Sequence, residues 1–185
     1  MADKKPTPMT APSLIGDNIY LRPATAEDMA NTHHWRMLSE PQSMGCRPMI
    51  LWTAAETAEN FKKHERSATQ QQFMIVRKAD NVPVGRINFF DLNTLNRSTE
   101  VGLIIDPDER RKGYAVEATR LLCRYLFKYR GLNKVHAQTS DFNEGAKKLL
   151  HKAGFKKDGV LRKHYFWQGE FHDGLIYSVL AFEFD

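Results

Sequence analysis

Apolar positions along the chain recur at two periods. Between residues 114 and 131, Ala115, Ala118, Leu121, Leu122, Tyr125, Leu126 and Tyr129 fall three and four apart, the spacing of a helix with one buried face. Lys128 and Arg130 occupy its last turn and Gly131 follows as a C′ residue. A second helix is predicted over 143–155, with Ala146, Leu149, Leu150 and Ala153 on one face, Asn143 as N-cap and Gly154 at the end. Upstream, Met29, Trp35 and Leu38 mark a helix over 26–38, and the capping box Thr53-Ala54-Ala55-Glu56 opens another that runs to about residue 66. Strand patterns cover 18–22, 72–77, 82–92, a run ending at Ile105, 134–140, 159–167 and 174–184, with a hairpin across Ala79-Asp80-Asn81. The predicted order is β-α-α-β-β-β-α-β-α-β-β, a mixed α/β domain.

The junction between the apolar run 101–105 and the helix from Tyr114 carries the strongest chemical signal. It reads Arg110-Arg111-Lys112-Gly113-Tyr114-Ala115. The first N–H groups of a helix lack intrahelical partners and sit at the positive end of its dipole, so they form an anion site. Gly113 leaves the main chain open to an anion, small Ala115 keeps the next position clear, and the three cations add charge. A phosphate-bearing cofactor is one reading. The other is a helix that merely opens at a glycine after a solvated basic turn.

The string Asp106-Pro107-Asp108-Glu109-Arg110-Arg111-Lys112-Gly113-Tyr114-Ala115-Val116-Glu117-Ala118, joined to Asn143 and the ending Ala153-Gly154-Phe155, resembles the GNAT superfamily of acetyl-CoA-dependent N-acetyltransferases. Within it the chain is most similar to the branch of ribosomal-protein N-terminal acetyltransferases and spermidine acetyltransferases. The likeness runs over about residues 17–184 in element order. It implies a mixed α/β fold with a V-splayed central sheet and flanking helices, with acetyl-CoA as cosubstrate. Pantetheine would lie in the V, bonded to main-chain groups of Leu103, Ile104 and Ile105. The pyrophosphate would rest on backbone N–H groups between Arg111 and Ala115, with Arg110 and Lys112 beside it. Asn143 matches a cofactor-contacting position, and this is compatible with a plain N-cap role.

For catalysis the resemblance points to Glu100, an acidic position common in this branch, as the group that takes the amine proton. The competing reading is a half-buried carboxylate paired with a base such as Arg97. One departure from the family pattern stands out. Many relatives carry a tyrosine as the acid for the departing thiolate, two residues before the lysine of the helix that ends in Gly-Phe, and this chain has Leu150 there. Tyr114, Ser140 and Tyr165 are other hydroxyls to consider. A thiol with a reference pKa of about 8.5 is also a tolerable leaving group without strong acid help.

Size and charge agree with one enzyme domain. The chain has 185 residues, 42% hydrophobic and 26% charged, enough for one sizeable core. Residues 1–15, with Pro6, Pro8 and Pro12 and little apolar periodicity, are expected to form a flexible tail before a single domain over 16–185. No stretch has the length of a membrane span or the form of a signal peptide, so a cytoplasmic address is expected. Cys46 and Cys123 are far apart and expected to be reduced thiols. The net charge of +5 gathers around the proposed cofactor mouth through Arg110, Arg111, Lys112, Lys147, Lys148, Lys152, Lys156 and Lys157. That suits a polyphosphate cofactor. No RNA-module pattern accompanies it, so nucleic acid is expected only indirectly, through a ribosomal protein. The histidines show no metal-ligand spacing, and no metal is expected.

The acceptor class follows from these expectations as a primary amine, on a protein N-terminus or a small molecule. The absent tyrosine argues against a polyamine, and so does the lower reference pKa of an α-amine, about 7.7 to 8.0 against about 10.4 for lysine. Polyamine, aminoglycoside or amino-sugar acetylation is the enzymatic alternative, and a non-catalytic CoA-binding module the alternative from another class. His33-His34-Trp35-Arg36 and the 165–173 hairpin offer aromatic and acidic surface for the acceptor, or else core packing. The family also leads one to expect a homodimer.

Overall fold

The computed structural model describes residue 11 and residues 14–38, 51–64 and 67–184. Its strands are β1 (Ile19–Pro23), β2 (Gln71–Arg77), β3 (Pro83–Asn93), β4 (Ser98–Ile105), β5 (Lys134–Ser140), β6 (Lys156–Trp167) and β7 (Glu170–Leu180). The helices are α1 (Ala26–Asn31), α2 (His34–Met37), α3 (Ala54–His64), α4 (Tyr114–Lys128) and α5 (Glu144–Lys152). The strands form one sheet in the order β1-β2-β3-β4-β5-β7-β6. Every neighbouring pair is antiparallel except β4 and β5, which run parallel.

Alternation along the central strands fills both faces of the sheet. On one face Ile19, Leu21, Phe73, Ile75, Ile87 and Phe89 pack with Leu122 and Leu126 of α4 and with Leu150 of α5 in the main core. On the other, Tyr20, Met74 and Val76 pack with Trp35 of α2, and Ile104 joins them. A second tie fixes α4 to β1: the Glu117 carboxylate accepts the backbone N–H of Asn18 at 2.9 Å and of Ile19 at 3.3 Å. The start of α4 is thereby held against the sheet.

The segment predicted as one helix over 26–38 is two. The Thr32 hydroxyl donates at 2.7 Å to the Asp28 carbonyl that its own N–H also uses, and His33 Nδ1 meets at 2.8 Å the Ala30 carbonyl that the next N–H of a continuing helix would use. The break lets Trp35 turn into the second core, 4% exposed. Helix α3 opens on the predicted capping box: Thr53 Oγ1 accepts from Glu56 N at 3.2 Å, and Glu56 Oε2 accepts from Thr53 N at 2.8 Å. Strand β7 starts four residues earlier than predicted and ends at Leu180, where a 3-10 turn, Ala181–Glu183, replaces its last residues. Leu14, assigned to the tail over 1–15, is 4% exposed and belongs to the main core, while Ile15 bridges to Tyr20. The packed body therefore includes these two residues, because an apolar pair ahead of β1 has a core to reach. Cys123 is a buried free thiol, and Cys46 lies outside the described residues. Among the described residues no helix is long and apolar enough to cross a membrane.

Candidate active site

The parallel ladder between β4 and β5 has three rungs, Ser98 to Lys134, Thr99 to Val135 and Glu100 to His136. Both strands run on past it, to Ile105 and Ser140. Beyond Glu100, β4 stays paired to β3 as far as Ile105 opposite Gly85, and β5 stays paired to β7 as far as Ser140 opposite Gly174. The two arms therefore diverge, and the sheet opens as a V. The edges of β4 and β5 that face each other across the V are the ones an extended ligand could pair with.

An open cleft of about 1440 Å³ fills this V and continues under α1 and α3. Glu100, Leu103, Ile104, Ile105, Arg110, Arg111, Lys112, Gly113, Tyr114, Ala115 and Asn143 all line it. The structure thus gathers every predicted site residue around one space. Residues 165–173 of the last hairpin are not among the lining residues, but the Tyr165 hydroxyl reaches Oε1 of the lining residue Gln138 at 3.4 Å. Trp167 instead stacks on Phe142, ring centroids 4.5 Å apart.

The phosphate end is built from backbone. A short 3-10 turn, Pro107–Glu109, ends β4, Arg111 takes φ 65°, and Gly113 takes φ 88° as the N-cap of α4 with no side-chain cap. A Cβ on Gly113 would meet nothing within 4 Å, so the main chain here faces open space. The first N–H groups of α4 are left for an external acceptor. Of the predicted cations, Lys112 is tied to Glu109 at 2.8 Å, and Arg77 holds the same carboxylate at 2.7 Å. Lys112, and then Arg77, hold the Glu109 carboxyl below its ordinary pKa against the effect of desolvation. Lys147 is tied to Glu144 and Lys156 to Glu183, whereas Lys148 and Lys152 line the cleft.

Asn143 caps α5, its Oδ1 accepting the Ala146 N–H at 3.0 Å. A carboxamide has donors as well, so the cap leaves the NH2 group available to the cleft. Glu100 stands where the V opens, its side chain 16% exposed. Gln138 Nε2 donates to Glu100 Oε2 at 3.4 Å, and His136 Nε2 lies 3.8 Å from the same oxygen. Burial, and then the charge of Lys134, push the His136 pKa below its ordinary value, so the imidazole is neutral at pH 7 and its approach to Glu100 is not an ion pair. Arg97, the base considered as a partner for Glu100, donates to the Gly131 carbonyl.

Leu150 is 5% exposed and lines the cleft, which leaves an apolar wall where a proton donor would stand. Two features escaped the sequence pattern. Thr139 also lines the cleft, and its Oγ1 is buried without a partner. Arg86, in the strand pattern over 82–92, is 6% exposed, with its Nε unpartnered. Burial, and then Arg36, push the Arg86 pKa down to about 10, which still leaves it charged at pH 7. An alternating strand offers no signal that its polar face will be roofed by helices distant in sequence.

Comparison with known proteins agrees with this geometry. The family model described as an acetyltransferase (GNAT) domain matches residues 18–156. An uncharacterized N-acetyltransferase of Bacillus subtilis, YoaA, is 34% identical over 106 residues, 57% of this chain and 60% of that protein. The spermidine N(1)-acetyltransferase of Escherichia coli K12 is 24% identical over 173 residues, 90% of this chain and 88% of that one. Among solved structures, the spermidine N-acetyltransferase of Vibrio cholerae in complex with CoA and spermine superposes with a TM-score of 0.83 at 22% identity, covering 90% of this chain and 98% of that one.

Proposed function

The chain belongs to the GNAT acetyltransferase family and is an acyltransferase that uses acetyl-CoA, and on that premise we propose that its acceptor is a neutral primary amine of the α-amino type, on a protein N-terminus or a small molecule. The V supports the cofactor half of this reading, with three parallel rungs, then two diverging strands and a glycine-opened helix start at the mouth, and the observation that carries the acceptor half is Leu150, an apolar wall in place of a proton donor. In the proposed arrangement the β4 edge at Leu103, Ile104 and Ile105 holds the extended arm of the cofactor. The N–H groups around Gly113, Tyr114 and Ala115 hold its pyrophosphate, Arg110 and Arg111 supply charge, and the Asn143 amide contacts it from the other arm. When bound, acetyl-CoA supplies an activated thioester carbonyl.

Around that carbonyl there are three tasks, and the chain supplies groups for two. Backbone N–H groups of the splayed strand can stabilise an oxyanion, since they are fixed in place before reaction. Glu100, held by Gln138 beside a neutral His136, can accept the proton that the amine sheds. The third task, protonating the departing thiolate, has no acid at Leu150. A leaving group of modest basicity needs least help there, and an α-amine, more often neutral at pH 7 than a lysine-type amine, needs least base.

Polyamine acetylation is the second reading, favoured by the likeness to spermidine acetyltransferases and by Glu100 and Asp91 in the cleft lining. The test is thiol release from acetyl-CoA with peptides bearing free Ala or Ser termini, amino acids, aminoglycosides and spermidine. Turnover with α-amines at a kcat/KM above that for spermidine is the expected result, and the reverse order would overturn the assignment.

A further inference from the structure

Arg86 sits in the middle of the sheet, opposite Met74 of β2 and Ile104 of β4, on the face covered by α1 and α2. Its side chain reaches Met29, where Nη1 donates to the thioether sulfur at 3.3 Å, and lies over Trp35, 6.0 Å from the ring centroid. A guanidinium has five N–H donors, and a sulfur is a weak acceptor. Nε is sealed from solvent with no partner, and among the described residues no carboxylate pairs with Arg86. The nearby Asp28 is already committed, its two oxygens accepting from Arg22 at 2.6 and 2.7 Å. The face of Trp35 offsets part of the cost of burying this cation. A stability role would be served better by an apolar side chain of the same length, since an unpaired buried charge opposes folding.

Three further observations connect this cation to the cleft. Arg86, Met29, His33 and Arg36 all line it. Arg36 lies close enough to lower the proton affinity of Arg86 after burial has done so, which places both at this end of the cleft. Finally, Arg86 and Glu100 share a sheet face. Arg86 stands opposite Ile104 and Phe90 opposite Glu100, and residues 100, 102 and 104 of β4 project to the same side. Glu100 and Ile104 are four residues apart, roughly 13 Å along a strand. Glu100 and Arg86 both line the same cleft, so one acceptor that carries its amine and its anion at opposite ends can meet both.

We propose that Arg86 is a specificity-determining residue that receives the carboxylate of the acceptor, so that the enzyme acetylates an amino-acid-like amine and not a polycation. This rests on the acyl-transfer reading of the same cleft. A planar carboxylate can take two parallel N–H bonds from a guanidinium, supplying the acceptors that Arg86 lacks. A polyamine would bring a second positive charge beside Arg86.

The experiment compares matched acceptors, short peptides with a free α-amine and C-terminal carboxylate against their C-terminal amides, and spermidine, by thiol release from acetyl-CoA, with the full chain and its Arg86→Met and Arg86→Lys variants. Calorimetric titration of the same acids into the CoA-loaded protein gives a readout independent of turnover. The expected result is a kcat/KM at least about tenfold higher for the acid than for its amide, the worth of a charged hydrogen bond. In Arg86→Met that ratio should collapse toward one through KM, acid binding should weaken, and the melting temperature should rise because a buried charge is gone. Arg86→Lys, which keeps charge without the fork, should fall between. If nothing turns over but the acids bind and Arg86→Met abolishes that binding, the clamp stands and the acyl-transfer reading falls. Equal use of acid and amide, preference for spermidine, no acid binding, or a preference that survives in Arg86→Met would each overturn the proposal.

Discussion

At the scale of single residues, the site depends on backbone conformations and on one carboxylate. Gly113 holds φ 88°, in the left-handed region, where a side chain with a Cβ costs roughly 1–2 kcal/mol. Gly113→Val should raise the dissociation constant for acetyl-CoA about tenfold or more in calorimetry, because relieving the strain moves the N–H groups of the helix start. Unchanged affinity would remove Gly113 from the phosphate site. Glu100→Gln keeps size and the contact with Gln138 but cannot accept a proton. It should lower kcat by about 10²-fold with acetyl-CoA affinity retained, and full activity across the pH range would exclude Glu100 as the base. His136 supplies a pH signature. Its folded pKa lies below the unfolded value of about 6.5, so the unfolded chain takes the proton first. Stability is therefore unaffected by this group above pH 6.5 and is lost as pH falls from there through the folded pKa. The melting temperature should decline as pH falls below about 6.5, and His136→Gln should flatten that part of the curve.

At the scale of elements, legibility followed the distance over which the deciding forces act. Helices α4 and α5 and strand β5 were readable because their caps and apolar faces are local: Gly131 takes φ 64° after α4, Asn143 caps α5, and β5 matches its predicted limits. The break at Thr32 and His33 was not readable, since it turns on side-chain bonds to carbonyls that compete with the helix. Nor was the burial of Arg86, which depends on α1 and α2 folding over β3. The predicted cofactor residues converge on one cleft because they cluster at the ends of two adjacent elements, whereas Thr139 and Arg86 entered that cleft only through the sheet. Helix α4 carries both core and site, and the two can be separated. Leu126 is fully buried two turns or more beyond the phosphate end. Leu126→Ala should cost about 2–5 kcal/mol and lower the melting temperature by roughly 5–15 °C. Below the transition kcat/KM should be retained, and its loss there would mean that α4 packing and site geometry are coupled.

At the scale of the whole molecule, charge and topology act together. The protein carries a net charge of +5, and Arg110, Arg111, Lys148 and Lys152 line the cleft. Acetyl-CoA is a polyanion, so its affinity should fall several-fold as ionic strength rises and the screening length shrinks from about 10 Å at 0.1 M to about 3 Å at 1 M. A salt-independent affinity would assign recognition to the backbone N–H groups alone. Topology supplies the rest: one parallel pair in an otherwise antiparallel sheet, three rungs long, is what creates an edge in the middle of the molecule. The most direct test is a crystal structure with coenzyme A. The pantetheine arm should run along Leu103, Ile104 and Ile105 with the pyrophosphate on the N–H groups from Gly113 to Ala115. A ligand bound away from the V, or β4 and β5 zipped together beyond Glu100, would contradict it.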